Sequence, residues 1–89
     1  MGIIAERITK ARKELGLNQK ELAKKANLTE ANLSRYENGI REPKSAVLAR
    51  LADALEVSTD YLVGLTDEKT YYSYKIRKKD EDDILLALK

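Results

Sequence analysis

Up to Leu65, apolar residues recur at the spacing of one helix face, and no segment alternates with the period of a strand. Ile4, Ile8, Ala11 and Leu15 form such a stripe on a first helix of about a dozen residues, which Gly16 is expected to stop. A second helix opens near Asn18 or Gln19 and turns Leu22, Ala23 and Ala26 inward before Asn27. Thr29 has the chemistry of an N-cap for a third helix, whose apolar face is Leu33 and Tyr36. Asn38-Gly39 is a turn signal, and Pro43 precedes a fourth helix carrying Leu48, Leu51, Ala52 and Leu55. Ser58 then caps a short fifth helix around Tyr61, Leu62 and Val63, ended by Gly64. The predicted fold class is all-α, with five helices in residues 1–65.

The second and third helices are too short to hold their shape alone, so tertiary packing must fix both. Joined by a turn of three or four residues, such a pair forms a helix-turn-helix. Asn27 suits that turn because asparagine tolerates the left-handed conformation, and Leu28 is expected to enter the core from it. On a helical wheel of residues 30–38, Leu33, Tyr36 and Glu37 share one side. Ala31, Arg35 and Asn38 lie opposite, flanked by Glu30, Asn32 and Ser34. Small, amide and guanidinium side chains on an outer face suit the major groove of DNA. Arg35 can donate twice to guanine O6 and N7, Asn32 can pair with adenine, and Ala31 can touch a thymine methyl.

Charge refines this picture. The net charge is +2 over 89 residues; Lys and Arg number eleven up to Leu65 against nine Asp and Glu, and the remainder is neutral. Any phosphate binding must therefore come from cations gathered on one face. The chain has no cysteine and no histidine, which removes the thiolate, the commonest general base and the commonest metal ligand. No paired glycines form a phosphate loop and no carboxylate pair has a catalytic look, so no catalytic residue, cofactor or metal is expected. The run Asp80-Glu81-Asp82-Asp83 lacks the alternation and glycine of a calcium loop. No apolar run reaches the length of a membrane span, and the N-terminus has no signal-peptide core, so a cytoplasmic protein is expected.

The runs LGLNQKELAKKANLTEANLSRYENGIREP and LARLADALEVSTDYLVG resemble the phage-repressor and Cro type of helix-turn-helix, the xenobiotic-response-element-type family. The most diagnostic pieces are Asn18-Gln19, Glu21-Leu22-Ala23, Ser34 through Gly39, Pro43, and Leu55-x-Val57-Ser58-x-Asp60-x-Leu62. The resemblance, over about residues 4–65, implies a lambda-repressor-like domain in which helices two and three bind double-stranded DNA as a homodimer. It implies base reading by Glu30, Ala31 and Arg35, with Asn32 and Ser34 beside them. Asn18 and Gln19, at the start of the second helix, and Asn38, Arg41 and Lys44, in the following loop, would lie along the DNA backbone. Arg12 and Glu37 would form a buried ion pair between the first and third helices. Two departures stand out: Glu30 replaces an uncharged polar residue, which suits only a donor such as cytosine N4. Asn27 replaces the usual turn glycine, at some expected loss of stability.

Residues 66–89 differ in character: a charged linker, the tyrosines Tyr71, Tyr72 and Tyr74, a basic run, the acidic run, and Ile84, Leu85 and Leu88 on an expected last helix capped by Asp80. This segment is expected to dimerise or to bind a protein partner. The alternative reading it motivates is an antitoxin or similar partner-binding module with secondary DNA binding.

Overall fold

The computed structural model describes residues 2–69. Its five helices are α1 (Ile3–Glu14), α2 (Gln19–Lys25), α3 (Glu30–Glu37), α4 (Ser45–Leu55) and α5 (Thr59–Val63). The expected all-α architecture is what the described residues form. The expected last helix, the tyrosine cluster and the basic and acidic runs lie outside the described residues.

The helix starts follow local side-chain chemistry. The Asn18 side-chain oxygen accepts from the Glu21 N–H at 2.8 Å, while the Glu21 carboxylate accepts from the Asn18 N–H at 3.0 Å, a complete capping box. Thr29 Oγ1 accepts from the Asn32 N–H and Ser58 Oγ from the Tyr61 N–H. Each satisfies one of the donors that a helix start leaves unpaired.

All five helices end in one way, with a residue of positive φ: Gly16, Asn27, Gly39, Glu56 and Gly64. The next N–H then reaches back five residues: Leu17 to Arg12 O, Leu28 to Ala23 O, Ile40 to Arg35 O, Val57 to Ala52 O and Leu65 to Asp60 O. This is the Schellman closure, which satisfies carbonyls that a helix end otherwise strands. At Gly64 the demand is double, because φ is +86° and a Cβ would lie 3.1 Å from Ile3 Cδ1. Asn27 meets the demand with φ +56°, as its residue type led us to expect. Asn27→Gly should raise stability by up to about 1 kcal/mol, the left-handed strain relieved being partly offset by unfolded-state entropy. A lower urea midpoint for that variant would contradict this account of the turn.

The core is one cluster, with Ile8, Leu22, Leu33, Leu51, Leu55 and Leu62 wholly buried and Ala11, Ala23, Ala52, Ala54 and Tyr61 around them. α1 packs against α3, α4 and α5; α2 packs against α3 and α4; α4 packs against α5. The expected stripe on α1 needs one correction. Leu15 is 40% exposed, because α1 ends at Glu14 and the Gly16 closure swings Leu17 onto the core in its place. At the other end Ala5 is buried and Ile4 only partly so.

Packing continues past Leu65. The Arg7 guanidinium donates to the carbonyls of Tyr61 and Thr66 and to Asp67 Oδ1, and it stacks over the Tyr61 ring at 4.4 Å. The Ser58 N–H donates to Lys69 O, and the Lys69 ammonium pairs with Glu14. Residues 66–69 are thereby tied to α1 and to the start of α5.

Candidate nucleic-acid interface

The central feature of the site is the Glu37 carboxylate, the only buried charged side chain among the described residues. Its Oε2 accepts from Arg12 Nε at 2.8 Å, and its Oε1 accepts from Arg12 Nη2 at 2.9 Å. Thr9 Oγ1 and Gln19 Nε2 also approach Oε1, at 3.1 and 3.3 Å. Arg12 Nη1 donates to Leu17 O at 2.9 Å, at the closure of α1. A buried charge is tolerable only when its lone pairs are filled, and here α1 and α2 fill them. The orientation of α3 is thereby fixed from both neighbours. Arg12 and Glu37, implied as a pair by the resemblance, stand 2.8 Å apart with side chains 12% and 3% exposed.

The inner face of α3 is Leu33, Tyr36 and Glu37, all buried. Its outer face presents Glu30, Ala31 and Arg35, all exposed, with Asn32 and Ser34 half-buried at its edges. Side-chain hydrogen bonds run along that face. Arg35 Nη1 donates to Asn32 Oδ1 at 3.2 Å, and Asn38 Nδ2 donates to Ser34 Oγ at 3.2 Å. The Ser34 hydroxyl, accepting from Asn38, keeps its own proton for an outside acceptor.

Gln19 lies half-buried in the first turn of α2 and gives one amide hydrogen to Glu37. Its second amide hydrogen remains for an acceptor outside. Gln19 and Asn38 line one depression together with Lys10 and Lys13 of α1. Those two lysines had no assigned role in the sequence reading. Their three-residue spacing puts them on one side of α1, but only the fold brings that side beside Gln19. Asn18 is an exposed N-cap whose oxygen is used by the Glu21 N–H, leaving its amide group to donate.

Arg41 and Lys44 are exposed in the segment between α3 and α4, on either side of the buried Pro43. Lys44 occupies the N-cap position of α4 without a capping bond from its side chain. Arg41 lines a different depression from Gln19, with Tyr36, Gly39 and Pro43. Ile40, between Asn38 and Arg41, is 74% exposed and was also unassigned by sequence. The arrangement therefore offers one projecting helix face with a guanidinium, a carboxylate and small groups, bordered by amides and cations. Among the described residues no cluster of three or more histidine, cysteine or carboxylate side chains is placed to hold a metal. No helix among them is long and apolar enough to cross a membrane.

Comparison with known proteins agrees with this geometry. A helix-turn-helix family model matches residues 8–62. The HTH-type transcriptional regulator ImmR of Bacillus subtilis (strain 168) is 40% identical over 82 residues, which are 92% of this chain and 58% of ImmR. This chain thus spans a little over half the length of that relative. The cryptic phage CTXphi transcriptional repressor RstR of Vibrio cholerae is 32% identical over 82 residues, 90% of this chain and 73% of RstR. Among solved structures, the P22 c2 repressor protein in complex with a synthetic operator superposes with a TM-score of 0.67 at 33% identity, covering 71% of this chain and 96% of that one. With five helices in this order, a helix-turn-helix at α2 and α3, and these relatives, the chain belongs to the helix-turn-helix family of the phage-repressor, or XRE, type.

Proposed function

We propose that this protein is a sequence-specific, double-stranded-DNA-binding transcriptional repressor, acting in the cytoplasm as a homodimer on a palindromic operator. The observation that carries the reading is the division of α3. Its inner face is fixed by Leu33, Tyr36 and the Arg12–Glu37–Gln19 linkage, while Glu30, Ala31 and Arg35 project from the outer face. An eight-residue helix held rigid from behind with its base-compatible side chains exposed fits the major groove. Gln19, Asn18, Asn38, Arg41 and Lys44 border it with donors and charges suited to phosphates, and Lys10 and Lys13 extend that border along α1. Phosphate contacts of this kind set register and affinity, whereas the face of α3 sets sequence. The naming of relatives as transcriptional regulators and repressors, and of one as bound to an operator, supports the same reading.

Selection from a random duplex library at near-physiological salt tests it. The expected product is a palindrome with half-sites about one helical turn, roughly 10 base pairs, apart. Arg35→Ala should weaken binding to that site by about 1–3 kcal/mol and relax one base position per half-site. An unenriched library, or an Arg35→Ala variant with unchanged affinity and preference, would contradict the assignment.

A further inference from the structure

Asn32 and Arg35 stand three residues apart on α3, and their side-chain geometry decides how many bases they read between them. Asparagine pairs with adenine through both ends of its amide, the oxygen accepting from N6 and the nitrogen donating to N7. Here one of the two lone pairs on that oxygen is already engaged. Asn32 Oδ1 accepts from Arg35 Nη1 at 3.2 Å, one helical turn along the same face. The Asn32 backbone is itself held, its N–H donating to Thr29 Oγ1 at 3.1 Å in the cap of α3. Asn32 as a whole is half-buried, whereas Arg35 is exposed. The better-anchored residue therefore holds the freer one.

We infer that Asn32 is a positioning residue for Arg35, and that the two side chains together read a single guanine. This inference rests on the outer face of α3 being the base-contacting surface. A guanidinium has five N–H donors in one plane. Giving one Nη1 hydrogen to Asn32 leaves the edge formed by Nε and Nη2 to donate in parallel to guanine O6 and N7. A long arginine otherwise loses rotamer freedom when it docks, and a side chain already held loses less. The amide of Asn32 supplies an acceptor and nothing else that this role needs, so an aspartate in its place would serve as well. Adenine recognition, by contrast, needs the amide nitrogen, which aspartate lacks.

That difference makes the test. Sites are selected from the same random duplex library with the parent protein and with Arg35→Ala, Asn32→Ala and Asn32→Asp, and base preferences are compared column by column. Arg35→Ala identifies the guanine column. Asn32→Ala is expected to lower the preference in that same column by about two- to tenfold, the range set by holding one long side chain. Asn32→Asp is expected to keep the guanine preference, even if its added negative charge lowers affinity for all sites together. A separate adenine column that both Asn32 variants relax would overturn the inference and make Asn32 a base reader. Unchanged columns for Asn32→Ala would overturn it too, as would an Asn32→Asp variant that loses guanine as the alanine variant does. If Arg35→Ala itself moves no column, the assignment of the reading face has failed, and this inference with it.

Discussion

Arg12→Met is expected to destabilise the domain by about 3–5 kcal/mol, the cost of leaving a buried carboxylate without its charge partner. The magnitude follows from what stays behind. Glu37 is 6% exposed and would keep only the Thr9 hydroxyl and the Gln19 amide, both converging on Oε1. Neither carries a charge, and Oε2 would lose its donor altogether. Leu17 O would also lose the Arg12 Nη1 donor that reinforces the closure of α1. Against a total stability of about 5–15 kcal/mol for domains in general, such a loss can unfold a chain this small. The doubly substituted Arg12→Met, Glu37→Met protein should recover much of it, because apolar replacement of both partners removes the stranded charge. Urea titration of the single and double variants measures both effects. A loss below about 1 kcal/mol for the single variant would mean that Glu37 reaches water and that the pair does not fix α3.

The reason for such a pair lies in geometry more than in stability. Its expected contribution to function is to set where α3 sits relative to α1 and α2, since both of those helices send side chains to the one carboxylate that α3 carries. The residue types of this linkage were visible in the chain, and the resemblance assigned Arg12 to Glu37. The arrival of Thr9 and Gln19 at the same oxygen was not visible, because it depends on which rotamers the packed helices allow.

The same division runs through the fold. Four of the five left-handed helix ends fall on Gly16, Asn27, Gly39 and Gly64, residue types that announce such a conformation. The fifth falls on Glu56, which has no such preference, and the residue after it, Val57, is buried in the core. Leu15 misled because periodicity says which side of a helix is apolar but not at which residue the helix stops. Arg7 gave no local signal at all. Its partners at Tyr61, Thr66 and Asp67 lie 54 to 60 residues away, and in the sequence it looks like any solvated arginine of an amphipathic helix. Patterns within one or two turns could be read, whereas contacts between distant segments required the packed structure.

Leu33→Ala should cost about 2–5 kcal/mol, the range for removing a fully buried leucine from a core that relaxes only in part. Leu33 is 0% exposed and stands two residues before Arg35 in the same eight-residue helix. A helix of that length does not persist without its packed face. Arg35→Ala, on the opposite face, should change stability by less than about 0.5 kcal/mol while removing the proposed base contact. The two substitutions thus separate what holds α3 from what α3 presents. Thermal unfolding should move for Leu33→Ala and stay for Arg35→Ala. Binding to the selected duplex, measured well below both transitions, should fall for both, but only Arg35→Ala should alter the base preference. If Leu33→Ala instead altered preference at full stability, the inner and outer faces of α3 would have to be exchanged.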